Sequence, residues 1–307
     1  MQTIDASLFS PYENAFLARE NLSKYAFSLC GGPCAGMIRI DSGEMLEAVL
    51  QKAILANIPY KVLGGMTNIL ICDQGFDGLV LLNRKGIITH IVKDDGVVEL
   101  TADSGVGMAA VVRYCIDHSI SGMEWAAGLP GTVGGAVCGN AGAFGTETAD
   151  IFISGTVFGE AGEKYEISPE QMHYAYRSSA LKGQEKQVLL TASFALHTGV
   201  RAQIESLGNE YREKRRTNQP VDEHSLGSVF KNPPGYFAAK LIQDAGLKGY
   251  SIGKATVSMK HALYITTTEG VTAADYYRLV CYVQDEVFHQ FGILLEPEIE
   301  LFGFGAV

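Results

Sequence analysis

Residues 128–145 read GLPGTVGGAVCGNAGAFG, with glycine at 128, 131, 134, 135, 139, 142 and 145 and only Leu129, Val133 and Val137 as bulky aliphatic residues up to Val137. A chain that must bring its backbone close to another group uses such a stretch, because no Cβ intervenes. A second stretch, LGGMTNILI at 63–71, sets Gly64, Gly65, Thr67 and Asn68 beside an apolar run. Both place glycines and small hydroxyl or amide residues against apolar strands, which frees main-chain N–H groups to approach an anion. A pyrophosphate suits such a cradle. Either stretch alone is equally compatible with tight packing between strands. Two of them in an acidic chain favour a phosphate-bearing cofactor held by backbone rather than by lysines.

The acidity is a matter of count: 24 Lys and Arg against 34 Asp and Glu give a net charge of −10 over 307 residues. That balance works against phosphate-rich polymers, so nucleic acid and anionic membranes are not expected as partners. At 47% hydrophobic and 19% charged residues, the chain has the mixture of a folded globular protein, long enough for two domains. Glycine stands out, at 35 of 307 or about 11%, against a usual ~7%. The polar N-terminal stretch has no apolar run before a small-residue cleavage site, so a cytoplasmic location is expected. Trp125 to Thr146 is uncharged and long enough to span a bilayer, but its Pro130 and glycines would leave backbone groups unsatisfied in lipid. Six cysteines lack a CxxC pair and the histidines are isolated, so reduced thiols and no metal site are expected.

Outward from the glycine stretches, the first half alternates β-rich runs at 36–40, 60–65, 68–72, 78–83, 86–92 and 96–103 with two helical patterns. Ser42 caps the first helix, and Met108 to Ser119 forms the second. Strands follow at 152–158 and 187–197. Composition shifts near residue 200, where a charged helix leads into TNQPVDEHSLG, so the boundary is placed between 1–200 and 201–307. Beyond it come an amphipathic helix at 236–246, an alternating strand at 262–268, a long helix from Ala273 to Phe291 started by Thr272 and Asp275, and a final strand in LLEPEIELFG. The strand, helix, strand order suggests a compact α+β unit.

Familiar motifs contribute little. Gly105, Gly107 and Ala110 satisfy GxGxxA after a strand, with Glu124 downstream, yet a dinucleotide fold needs that acid at the end of a second parallel strand, and SGMEWAAG is no strand. A glycine-bearing turn into a helix is the alternative. GYSIGKAT at 249–256 is one residue short of a Walker loop, and no GxSxG elbow exists. Arg177 in YAYRSS, Ser228 in GSVFKNP and Glu298 in LEPEIEL are each ordinary in isolation. Arg215, Arg216, Lys231, Lys240, Lys248, Lys254 and Lys260 concentrate positive charge in the last third.

Taken in order from about residue 20 to the end, GGMTNILI, GLPGTVGGAVCGNAGAFG, YRSS, KRRTNQP, GSVFKNP, LIQDAGLKGYSIGKATVS and LEPEIEL make the chain resemble the UDP-N-acetylenolpyruvoylglucosamine reductase family, in its shorter branch. The resemblance implies an α+β fold: an FAD-binding domain of the vanillyl-alcohol oxidase/p-cresol methylhydroxylase type plus a smaller C-terminal substrate domain. It also implies that NADPH reduces non-covalently bound FAD, which then passes hydride to the vinyl carbon of UDP-N-acetylglucosamine enolpyruvate, a step of peptidoglycan precursor synthesis. The adjacent carbon becomes enolate-like and needs a proton donor and electrostatic support.

The same resemblance assigns Ser228 as that donor, with Arg177 and Glu298 supporting the carboxylate end; Glu296 is the competing carboxylate. As FAD contacts it carries over Gly64, Gly65, Thr67, Asn68, Pro130, Gly131, Thr132, Gly134, Gly135, Asn140 and Gly142. Tyr176, Lys231 and Asn232 match substrate-facing positions. The chain departs from the family pattern at Met66 and Thr67, usually glycine and serine, at Phe144, usually tyrosine, at Ser178, usually acidic, and at Glu300, where a basic residue is common. Met66 and Glu300 favour a second reading, another oxidoreductase on the same flavin fold. A third, a binding module without turnover, is disfavoured by the joint presence of Arg177, Ser228 and Glu298. The sequence leaves the oligomeric state open.

Overall fold

Apolar periodicity places the elements. In a computed structural model describing residues 1–94 and 96–304, the helix Gly43–Leu55 starts at Ser42, whose hydroxyl accepts from the Met45 N–H at 3.1 Å. It buries Met45, Leu46, Val49, Leu50 and Ala53, one face of a 3.6-residue repeat. That face covers a four-stranded sheet ordered Phe16–Ala18, Cys34–Ile40, Phe76–Asn83, Tyr60–Leu63, parallel among the last three. The parallel pairing follows from the helix, which returns the chain to the same edge.

A second sheet is antiparallel, ordered Lys164–Ile167, Phe152–Phe158, Val188–Thr198, Val97–Asp103, Ile88–Val92, with Ile120–Ser121 pairing at the end of Val188–Thr198. Val97–Asp103 shows strict alternation, burying Val98, Leu100 and Ala102 against Met108–Asp117 and its neighbours. The charged helix Arg201–Asn218 packs onto this same core, through Ile204 and Tyr211.

The last third forms a four-stranded antiparallel sheet, His224–Ser228, Tyr264–Thr267, Ala255–Val257, Ser251–Ile252, covered by Ala238–Asp244 and Ala273–Phe291. Thr272 caps the long helix by accepting from the Asp275 N–H at 3.0 Å, as its sequence predicts. The end of the chain differs from the expected closed unit. Only Glu300–Phe302 of LLEPEIELFG is strand, and it pairs in parallel with Ile69–Ile71 of the first half. Phe302 lies in the small core with Ile69 and Ile71, while Ile299 remains in the C-terminal core. That crossing brings Glu298 and Glu300 alongside the 64–68 loop.

Among the described residues, no helix is long and apolar enough to cross a membrane.

Candidate active site

The two glycine stretches pack on each other. A Cβ on Gly64 would meet Thr132 Oγ1 at 2.4 Å, and one on Gly65 would meet Gly131 Cα at 2.7 Å. Gly131 itself sits at φ +105°, a backbone conformation that only glycine adopts readily. Thr132 caps the short helix Val133–Cys138, and Gly134 lies against the Ser104 turn, its N–H donating to the Ser104 carbonyl at 2.8 Å.

Arg84 organises the first loop. Its guanidinium donates to the carbonyls of Gly64 at 2.9 Å, Gly65 at 3.2 Å and Tyr25 at 2.7 Å, while the Met66 carbonyl accepts from the Phe27 N–H. The carbonyls are thus held to one side. Among the described residues, the N–H groups of Gly65, Met66 and Thr67 donate to no protein acceptor. Met66 adopts φ +51°, so a non-glycine residue accepts the left-handed turn that groups these donors. Its side chain is buried, which anchors the turn. Bare, convergent N–H groups between two glycine loops are what an anionic dinucleotide requires, so these residues fit FAD.

Next to this cradle, the left-handed turn at Arg177 (φ +55°) brings the guanidinium over three acceptors. Nε pairs with Glu298 Oε1 at 3.1 Å, Nη2 donates to the Gly142 carbonyl at 3.0 Å, and Nη1 to the Asn140 carbonyl at 3.4 Å. Lys182, which the sequence reading did not single out, donates to the Arg177 carbonyl at 2.7 Å and fixes that turn. Asn140 is fully buried and ties the segments together, donating to the Ala175 carbonyl and accepting from the Ala149 N–H, both at 3.0 Å. An open depression of about 390 Å³, lined by Gly142, Thr146, Glu147 and Arg177, lies beside it.

Burial pushes the Glu298 carboxyl above its ordinary range, and Arg177, Lys182 and Lys231 pull it back. Its main chain is held from both sides: the N–H donates to Val229 at 2.8 Å, and the carbonyl accepts from Asn68 Nδ2 at 3.2 Å. Ser228 directly precedes Val229, on a strand bent by a bulge and by Gly227 at φ +73°. A Cβ on Gly227 would lie 4.0 Å from the Thr67 carbonyl. The first cofactor loop, the serine and the glutamate therefore meet, although they are far apart in sequence.

Other expected site residues have internal partners. Asn232 Oδ1 accepts from the Ala238 N–H at 3.0 Å, and Lys231 pairs with Glu296, which leaves Glu298 as the carboxylate on Arg177. Tyr176 is exposed with its ring 5.0 Å from the Arg177 guanidinium; Pro130 on the loop and Gly135 on the short helix are also exposed. The departures also find partners. Glu300 pairs with Lys61 at 2.9 Å, so the reversed charge is neutralised locally. Phe144 stacks on Tyr211 at 4.3 Å and lies 5.2 Å from the guanidinium of Arg215. Ser178 closes a tight turn with Ala175. Arg215, buried and bonded to the carbonyls of Ala127 and Trp125, is not a surface charge.

The GxGxxA segment is a packing turn. Its strand, Val97–Asp103, is antiparallel to both neighbours, so this segment belongs to no parallel unit that could carry a dinucleotide. Glu124 accepts from Ser121 Oγ and the Gly122 N–H, each at 2.7 Å.

Residues 34–168 match the FAD binding domain family, and residues 219–302 match the C-terminal domain of UDP-N-acetylenolpyruvoylglucosamine reductase. The reductase of Exiguobacterium sibiricum is 39% identical over 291 residues, covering 95% of this chain and 94% of that protein. That of Caldicellulosiruptor saccharolyticus is 36% identical over 290 residues, covering 94% and 92%. The crystal structure of the Thermus caldophilus reductase superimposes with a TM-score of 0.77 at 29% identity, covering 94% of this chain and 98% of that one. These similarities favour the reductase over another oxidoreductase of the same fold. With an FAD-binding domain joined to that C-terminal domain and its glycine loops gathered around bare N–H groups, the chain belongs to the UDP-N-acetylenolpyruvoylglucosamine reductase family and is an FAD-dependent oxidoreductase.

Proposed function

We propose that the chain reduces UDP-N-acetylglucosamine enolpyruvate to UDP-N-acetylmuramate in the cytoplasm with NADPH as hydride donor, supplying a peptidoglycan precursor. The observation that carries this reading is the Arg177–Glu298 pair beside Ser228 at the edge of the cradle. Bound FAD would supply the hydride-transfer chemistry between NADPH and the enolpyruvyl substrate. The N–H groups of Gly65, Met66 and Thr67 would hold its pyrophosphate, with Gly131 and Thr132 closing the cradle and Gly142 and Asn140 framing the Arg177 side.

Ser228 gives a proton to the carbon bearing the carboxylate, a role suited to a weak acid that waits for carbanion character. Guanidinium has five N–H donors, of which Arg177 uses three within the protein, leaving two for the substrate carboxylate. Glu298 fixes the plane of that fork. Tyr176, exposed beside it, is assigned to the sugar nucleotide, as are Lys231 and Asn232. We further infer that residues 1–200 serve the cofactor and 201–307 the substrate, with Arg201–Asn218 as the strut between them.

The test is direct. The purified flavoprotein, bleached anaerobically with NADPH, regains its colour on addition of the enolpyruvyl sugar nucleotide; recovery with oxygen but not with that acceptor would refute the assignment. In Ser228→Ala, bleaching stays near normal while reoxidation by substrate slows ~10²–10⁴ fold, the range for a lost general acid.

A further inference from the structure

Ser228 carries a single hydrogen. If its hydroxyl donates that hydrogen to a protein acceptor, none points at the substrate, so a proton donor of this kind needs a neighbour that donates to it. The register supplies one. Ser228 and Tyr264 are directly opposite on antiparallel strands, just past the bulge between Ser225 and Ser228. Opposed residues project from the same face with Cβ atoms roughly 4.5–5.5 Å apart. That register sets the serine hydroxyl and the phenol as neighbours, close enough for the serine to act on the phenol's ionisation. Tyr264 is partly buried, with the His261 ring 5.2 Å away and edge-on.

We propose that Tyr264 is a positioning residue for Ser228: its phenol donates to the serine oxygen, turns the serine hydrogen toward the substrate, and replaces the proton that the serine gives up. This inference rests on Ser228 being the proton donor. As the new C–H bond forms, the Ser228 O–H bond breaks; the phenol's hydrogen passes to the serine oxygen, and water reprotonates the phenolate. A phenol is a stronger acid than an aliphatic hydroxyl, so the transfer runs in the required direction.

The surroundings are consistent with that task. Arg215, from the helix Arg201–Asn218, faces the phenol and favours its anion, while Glu298 from the C-terminal segment opposes it. His261 lies on the same hairpin, with Lys248 near it. Burial, the largest influence, pushes the Tyr264 phenol above its ordinary range, so it remains protonated at neutral pH.

The experiment uses the holoenzyme in anaerobic stopped flow. Tyr264→Phe should bleach normally with NADPH yet reoxidise about 10-fold more slowly with the enolpyruvyl sugar nucleotide, lowering kcat and leaving KM unchanged. The double variant with Ser228→Ala should be no slower than Ser228→Ala alone, because both act on one proton. An unaffected Tyr264→Phe, or losses that multiply in the double variant, overturns the inference. A 3,5-difluorotyrosine at 264 keeps the shape and should shift the alkaline limb of reoxidation to lower pH; an unmoved limb overturns it as well. Full-speed reoxidation in Ser228→Ala removes the proton-donor assignment itself, whereas a slow Ser228→Ala beside a normal Tyr264→Phe removes only the role of Tyr264.

Discussion

Two glycine turns follow strands in the first half, and they do opposite things. At 104–107, a Cβ on Gly105 would strike Asn83 Oδ1 at 2.2 Å and the Lys85 carbonyl at 2.3 Å, and bonded donors alternate with free ones: the N–H groups of Ser104, Val106 and Met108 reach protein carbonyls, while among the described residues those of Gly105 and Gly107 reach none. At 64–67, the carbonyls are drawn off by Arg84 and the following N–H groups have no protein acceptor. The first turn matches a nucleotide-binding pattern and is packing; the second matches none and is proposed as the cradle. What separates them is continuity: three successive N–H groups lack a protein acceptor at 65–67, whereas bonded donors interrupt the free ones at 104–107, and a contiguous unpartnered set marks where an anion belongs.

The largest test of that contrast is Gly65→Ala, whose Cβ meets Gly131 backbone at 2.7 Å. Flavin binding should weaken by ~10²–10³ fold, or about 3–4 kcal/mol, read by fluorescence titration. Gly105→Ala should instead lower stability by about 2 kcal/mol in thermal or urea unfolding while the folded fraction keeps its flavin. Loss of flavin there with unchanged stability would reverse the assignment of the two turns. Arg84→Met releases the carbonyls of Gly64 and Gly65 and should weaken flavin binding about 10-fold, with a smaller effect on the apoprotein. Met66→Gly has the smallest expected effect. It relieves ~1 kcal/mol of left-handed strain but loses ~1.5–3 kcal/mol of buried side chain, so stability falls slightly and flavin affinity holds. A large affinity loss would mean that the methionine side chain, not the backbone turn, shapes the cradle.

Most of the fold was legible because its signals are local. The Ser42 and Thr272 caps, the helical stripe of Gly43–Leu55 and the alternation of Val97–Asp103 all appear in the structure where periodicity placed them. The destination of the last strand was not legible. Its apolar alternation fits either sheet, and only packing of Phe302 with Ile69 and Ile71 selects the first half. The candidate site was legible as a set of motifs, through the resemblance that joins them. Lys182, Arg84 and Tyr264 were missed, and Arg215 was read only as one of several positive charges, because each works through a bond to a backbone carbonyl outside its own element or across a strand register, and no spacing in the sequence encodes such a contact.

By itself, the amino-acid order determined the elements, the family and the residue types available for chemistry, since caps, periodicity and motifs act over a few neighbouring residues. Only the tertiary structure decided which N–H groups stay free, that Glu298 rather than Glu296 reaches Arg177, and that a phenol faces the serine. Those outcomes depend on the final strand crossing to Ile69–Ile71 and on the bulge before Ser228, where packing between remote segments fixes orientations that local preference leaves open.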